Sequence, residues 1–259
     1  MILSCSVFLG AEIRECNDVA EVLTLADSET LVIFDIDNTL IEPTQVLGSD
    51  QWFNYMLQNR QNNGQAYESA LKEIIPLWMQ IQQVTEVKTC ETSTTFVVEE
   101  LQRKGIHTIG LTSRSIPMAY RTIDQLKSVG IEFTKTAPHV HDFWVPLDQL
   151  QVFKAYNEPA YYLKGILFSG CNDKGELLLQ FFKLTGYLPS KVIFLDDKQN
   201  HLVAVEKKLR LKEFTNFTGL RYNVCDEQVK NFDCSIADIQ LNYLKKILSD
   251  EHARALLSR

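Results

Sequence analysis

The chain has no apolar run approaching the ~20 residues that a helix needs to cross a bilayer, so no membrane-spanning helix is expected. It has no Cys-x-x-Cys pair. Its six cysteines, Cys5, Cys16, Cys90, Cys171, Cys225 and Cys234, are scattered, which argues against a zinc site. Cys225 and Cys234 are near enough in sequence for a local disulfide in an exported protein, while free buried thiols are the simpler expectation. Positive charge is short: 26 Lys and Arg against 33 Asp and Glu leave a net charge of −7. That balance argues against a nucleic-acid backbone as partner. The one basic run, Lys207, Lys208, Arg210 and Lys212, reads as the solvated face of a helix. Internal repeats and low-complexity tracts are absent.

The 259 residues, 45% hydrophobic and 23% charged, have the composition of a soluble globular protein with one core domain plus an insertion. Leu31-Val32-Ile33-Phe34 reads as a buried parallel strand. It delivers Asp35 and Asp37 to its C-terminal end, where open α/β sheets bind ligands. Two acids at the mouth of a buried strand repel each other and resist desolvation, and a divalent cation is the usual compensation. Lys191-Val192-Ile193-Phe194-Leu195 is a second apolar strand, ending in Asp196-Asp197. Thr108-Ile109-Gly110-Leu111 is a third, ending in Thr112-Ser113. Asn172-Asp173-Lys174-Gly175-Glu176 opens a helix. Lys174 there faces the positive end of the helix dipole, a conflict that a bound anion would remove. Lys183, in mid-helix, is a competing cation expected to snorkel to solvent.

These four motifs, in this order, resemble the haloacid dehalogenase superfamily: Asp35-Ile36-Asp37-Asn38-Thr39, Thr112, Lys174 and Asp196-Asp197. The resemblance spans roughly residues 30 to 220. Within the superfamily it points to uncharacterised proteins of intracellular Gram-negative bacteria. It implies an α/β fold, a doubly wound parallel sheet of Rossmann type with a small helical cap inserted after the first strand. It implies Asp35 as nucleophile, becoming an aspartyl phosphate, and Asp37 as general acid and base. Thr112, the Ser113 backbone N–H and Lys174 would hold the phosphate. Mg2+ would be bound by Asp35, Asp196 and the Asp37 backbone carbonyl, with Asp197 supporting from behind. Magnesium would screen the repulsion between two anions and stabilise the transferring oxygens. The implied activity is a phosphatase acting on a phosphate monoester, either a small metabolite or a phosphotyrosine-like group on a protein. A phosphotransferase or phosphomutase would use the same residues. A dehalogenase needs no metal, which the retained Asp37 and Asp196 argue against. A secreted interaction protein on this scaffold is the non-enzymatic alternative.

Residues 1–30 are read as an N-terminal segment, 31–41 and 91–259 as the core, 42–90 as the cap and 131–163 as a second small insertion near the cleft. Met1 to Ala11 is apolar and uncharged. It resembles the apolar part of a secretory signal with no basic segment before it; a packed N-terminal segment is the other reading, and location stays open between exported and cytoplasmic. The cap has two helical stretches, Gln51 to Asn59 and Gln65 to Gln83, with Pro76 expected to start or kink a helix. Trp52, Tyr55 and Trp78 are its first candidates to face the cleft. His139-Val140-His141-Asp142 has metal-like residue types, but an isolated surface pair is the expectation. Lys212 to Phe217 is read as a further strand. Ser235-Ile236-Ala237-Asp238 is read as the capping box of a C-terminal helix packing through Ile236, Ile239, Leu244 and Ile247. No feature of the sequence indicates an oligomeric state.

Overall fold

A computed structural model describes residues 10–146, 159–244 and 254. In chain order its elements are β1 (Glu12–Cys16), α1 (Glu21–Leu25), β2 (Thr30–Phe34), β3 (Ile41–Pro43), α2 (Asp50–Asn62), α3 (Tyr67–Gln82) and β4 (Val87–Thr89). Next come α4 (Thr94–Arg103), β5 (His107–Thr112), α5 (Ala119–Ser128), β6 (Phe143–Val145), β7 (Ala160–Leu163) and β8 (Ile166–Phe168). The chain continues through α6 (Lys174–Thr185), β9 (Lys191–Asp196), α7 (Gln199–Arg210), β10 (Phe217–Tyr222), α8 (Asp226–Lys230) and α9 (Cys234–Leu244).

The sheet runs β1-β10-β9-β2-β5-β8-β7-β6, parallel from β1 through β8 and antiparallel at β7 and β6. The apolar runs are continuous because both faces are covered. Successive side chains of a strand point to opposite faces. Accordingly Val32 and Phe34 pack with Val97, Leu101 and Leu126 of α4 and α5, while Leu31 and Ile33 pack with Leu177, Phe181, Leu202 and Val205 of α6 and α7. This is a Rossmann-like α/β core, and β2, β5 and β9 bring their C-terminal ends side by side at one edge.

The cap helices α2 and α3 rise on a two-stranded antiparallel stem, β3 paired with β4. Ser49 starts α2 by accepting a hydrogen bond from the Trp52 N–H at 3.1 Å. Pro76 lies inside α3 and does not end it. The cap is anchored from behind by α9: Trp52, Leu47 and Ile81 bury against Ala237 and Leu241, and Leu47 N–H donates to Gln240 Oε1 at 2.8 Å.

Several expectations are corrected. Residues 12–25, read as an N-terminal segment outside the core, are part of it: β1 is a parallel edge strand, and the cap therefore follows the second strand in chain order. An edge strand needs no continuous apolar run, and Glu12-Ile13-Arg14-Glu15-Cys16 has none. Residues 143–145 and 160–163 are no insertion near the cleft; they extend the sheet past β8, with Phe143 and Tyr162 packed on Phe181. The last parallel strand is Phe217–Tyr222 and not 212–217. The side chain that accepts from the first turn of α9 is Asp233, which takes the Ser235 N–H at 2.8 Å. That helix buries Ala237 and Leu241 and leaves Ile236, Ile239 and Leu244 exposed. Met1–Leu9 and Ile247 lie outside the described residues.

Candidate active site

Asp35 follows β2 directly. Its backbone N–H donates to Leu195 O at 2.9 Å, which locks the loop to β9. The chain then turns through Asn38, whose φ of 56° is left-handed, a conformation asparagine tolerates better than most residues. Asp196 ends β9. Thr112 ends β5, with its hydroxyl accepting from the Arg114 N–H at 3.1 Å. Lys174 opens α6, which Asp173 caps by accepting the Glu176 N–H at 2.8 Å. Gly175 lets α6 press on α7, since a Cβ there would come within 2.6 Å of Ala204 O. That close approach carries Lys174 into the interior.

The result is one buried cluster. Lys174 Nζ lies 2.8 Å from Asp35 Oδ1 and 2.8 Å from Asp196 Oδ2. His201 Nδ1 lies 3.0 Å from Asp196 Oδ2. Asn38 Nδ2 reaches Asp197 Oδ2 at 3.5 Å, and Asp197 Oδ1 is buried with no hydrogen-bond partner. Thr112 and Ser113 border the same pocket. Lys183 is exposed on the outer face of α6, so Lys174 alone of the two lysines reaches the acids. Among the described residues, Asp35, Asp196 and His201 form the one group of three with metal-ligand atoms converging. His139 and His141 meet edge to face with ring centroids 5.8 Å apart and join no such group.

Three residues that the sequence reading passed over complete the site. Arg114 is buried and grips Asp37 with two bonds, Nε to Oδ2 at 2.8 Å and Nη2 to Oδ1 at 2.7 Å. Its remaining Nη1 donates to Gln125 Oε1 at 2.6 Å and Thr122 Oγ1 at 3.1 Å. Gln125 in turn donates to Gln82 Oε1 at the end of the cap, at 3.1 Å. His201 sits five residues after Asp196, in the first turns of α7. Lys198 pairs with Asp50 of α2 at 3.0 Å and so ties core to cap. A cation two residues past Thr112 was the available signal for Arg114, because Asp37 needed a partner.

Electrostatics follow from burial and neighbours. Burial, then the nearby Asp196, push Asp35 up to about 6 against the pull of Lys174. Burial, then Asp35, push Asp197 up to about 8. Burial also works against Asp196, but Lys174 and His201 outweigh it and hold this carboxylate down at about 2. Burial likewise opposes ionisation of Asp37, and Arg114 overrides it, leaving Asp37 below the usual carboxylate range. Two buried carboxylates, Asp35 and Asp196, face one lysine, and the half-buried Asp197 beside them keeps one oxygen unpaired. Such a set of hard oxygen donors carrying excess negative charge fits a divalent cation of the magnesium type.

A pH dependence follows. Asp35 and Asp197 have folded values raised above an unfolded value near 3.8. Their contribution to stability is therefore complete below that value and is lost as pH rises through about 6 and about 8. Asp196 and Asp37 are shifted the other way: their contribution is present above the unfolded value and is lost only as pH falls through the folded ones, below this window. The protein stripped of divalent ions should show a melting temperature that falls between about pH 4 and pH 8, and added magnesium should raise it more at pH 8 than at pH 5. A melting temperature that is flat over this range, with equal magnesium effects at both ends, would contradict the charge assignment.

A family model described as "Protein of unknown function (DUF2608)" matches residues 12–254. A Chlamydia pneumoniae protein, provisionally named an outer membrane protein, is 28% identical over 260 residues, covering 99% of this chain and 94% of its own. A similarly named Chlamydia trachomatis protein is 25% identical over 247 residues, covering 95% of this chain and 89% of its own. Both organisms are intracellular Gram-negative bacteria. Among solved structures, a haloacid dehalogenase-like family hydrolase from Streptococcus pneumoniae is similar at a TM-score of 0.42 and 14% identity, over 73% of this chain and 93% of that one.

Proposed function

The chain belongs to the family described as "Protein of unknown function (DUF2608)", a membership that names no reaction, and we propose that it is a magnesium-dependent phosphomonoester hydrolase that works through a phosphoryl group carried on Asp35. The observation that carries this reading is the buried Asp35–Lys174–Asp196 bridge with the unpaired Asp197 oxygen beside it. A structural salt bridge would not need three carboxylates, since burying unmatched charge is costly. A phosphoryl-transfer site does need them.

In this reading Asp35, Asp196 and the Asp37 backbone carbonyl would hold the magnesium, with Asp197 supporting them from behind, and the ion would supply charge neutralisation for the phosphate and its transferring oxygens. Thr112 and Ser113 orient the phosphate from the end of β5. Asp35 attacks phosphorus, the bond to the ester oxygen breaks, and the leaving oxygen takes a proton from Asp37 and departs as the alcohol. Lys174 keeps the Asp35 carboxylate aligned and offsets the negative charge that accumulates. Asp37, held as a carboxylate by Arg114, takes a proton from the water that then hydrolyses the aspartyl phosphate. The resemblance also gives Asp37 the role of acid in the first step. The two-bond grip of Arg114 favours its basic role.

The partner is a phosphorylated small molecule or a phosphoprotein, and no nucleic acid. An exported location accords with the names of the two chlamydial relatives. Among the described residues no helix is long and apolar enough to cross a membrane.

The test is hydrolysis of an aryl phosphate with magnesium, with EDTA, and with magnesium restored in excess. Activity should vanish in the chelator and return with the metal. Full turnover in EDTA would remove the metal role from Asp35, Asp196 and Asp197.

A further inference from the structure

The pocket above the acid cluster has two unlike walls. The core side presents Asp35, Asp37, Thr112, Ser113 and Arg114. The cap side presents Phe53, Tyr67, Leu71, Ile75 and Trp78. Phe53 and Trp78 meet edge to face at 6.1 Å, which fixes both rings. Trp52 and Tyr55 do not take part: Trp52 is buried behind the cap and Tyr55 packs on Phe232. The cavity measures about 220 Å³, below the range of roughly 300–1,000 Å³ typical of sites for drug-sized ligands. One ring plus a phosphate is the scale of occupant it takes.

The basic side chains that line this pocket are already paired. Arg114 is bound to Asp37, Lys198 to Asp50 and His201 to Asp196. Among the described residues no lining cation is left over for a second phosphate or a carboxylate on the substrate, while three lining acids would repel one. Hydroxyl-rich substrates fare poorly for a different reason. Asn54 donates its Nδ2 to Asp50 at 3.0 Å, Phe53, Leu71 and Ile75 offer nothing to a sugar hydroxyl, and among the described residues Tyr67 is the one hydroxyl on the cap wall, since Thr112, Ser113 and Ser115 lie on the core side. Polar groups buried without partners cost more than they return.

We infer that the substrate is the monophosphate ester of a single-ring, uncharged, largely apolar alcohol or phenol, its ring seated against Phe53 and Trp78. This rests on the hydrolase reading above and adds the substrate class to it. The ring can come from a free aromatic phosphate or from a phosphotyrosine side chain.

The experiment compares esters whose leaving groups are all alkyl alcohols, so that chemical reactivity does not imitate recognition. With the magnesium-loaded protein, kcat/KM for benzyl phosphate should exceed that for glycerol 3-phosphate and glucose 6-phosphate by about tenfold or more, the difference lying in KM, with fructose 1,6-bisphosphate poorest. Phe53→Ala should cut the benzyl advantage by roughly threefold to tenfold, the scale of one lost aromatic contact. Turnover of glucose 6-phosphate equal to that of benzyl phosphate would overturn the substrate class and leave the hydrolase reading standing. A protein that turns over none of these esters would lose the hydrolase reading. The class would then be decided by binding: benzylphosphonate raising the melting temperature more than methylphosphonate supports it, and equal shifts defeat it. Phenyl phosphate and a capped phosphotyrosine amide separate the two sources. Acceptance of both supports a side-chain ring, and acceptance of phenyl phosphate alone supports a free one.

Discussion

Asp35→Asn should remove turnover, by about 10⁴-fold or more as for other enzymes stripped of their nucleophile, without unfolding the protein. The amide keeps the size of the carboxylate and can still accept from Lys174 Nζ, which lies 2.8 Å from Asp35 Oδ1. It cannot attack phosphorus. The same change should leave the metal-free protein as stable as the parent or more so. Asp35 is buried beside Asp196, and its charge is the principal neighbouring influence raising Asp197. Taking that charge away lets Asp197 ionise at lower pH. The alkaline loss of stability should therefore shrink, and so should the stabilisation that magnesium brings. Thermal melts at pH 8, with and without magnesium, check the second half, and aryl phosphate turnover checks the first. Near-parental turnover would show that Asp35 is not the nucleophile. A large destabilisation without metal would show that the Lys174 bridge outweighs the repulsion among the acids.

How much of this was legible depended on what each residue had to do alone. β2, β5 and β9 were readable because they are buried on both faces and end in acids or hydroxyls. Such a strand announces itself in its own composition. β1 was not, because an edge strand carrying Glu12, Arg14 and Glu15 looks like a charged linker until β10 is placed beside it. The cap was legible as a pair of apolar-faced helices, but not in its orientation. Trp52 and Phe53 are adjacent on α2, and helical geometry sends one inward and the other to the cleft. Only the docking of α9 on Leu47 and Trp52 decides which. Those same contacts turn Ile236 and Ile239 outward, against the pattern that made them look like the buried face. The cysteines follow this rule too. A hydrogen bond with the Cys225 thiol, and after it burial, raise the Cys90 thiol, whereas Cys234 neighbours Tyr55. Pairs distant in sequence are set by the fold, and no local spacing records them.

Arg114→Gln should have the broadest consequences of any change outside the acid cluster. Arg114 is buried, holds both oxygens of Asp37, and continues through Gln125 to Gln82 at the end of α3. Breaking such a pair by removing one partner costs on the order of 3 kcal/mol, or roughly 6–12 °C in melting temperature for a chain of this size. The sign with pH is fixed by Asp37. Its folded value is depressed, so the pair's contribution is present above the unfolded carboxylate value and is lost as pH falls through the folded one. The gap between variant and parent should be widest near neutrality and close on acidification. Loss of stability alone would be consistent with a purely structural arginine, so the decisive readout is kinetic. Without the guanidinium, burial still acts on Asp37 and its value rises. The acid limb of kcat should then move to higher pH, because in the aspartyl-phosphate form Asp37 must be ionised before it can accept a proton from water. An Asp37 that holds its proton longer is also a better donor to an alkyl alcohol. Benzyl phosphate should therefore gain on phenyl phosphate in the variant even as both rates fall. Arg114→Lys should lie between, since it restores the charge and not the two-pronged geometry. If the acid limb stays where it was and the benzyl-to-phenyl ratio is unchanged, Arg114 only braces the loop after β5, and the basic role of Asp37 must come from elsewhere in the site.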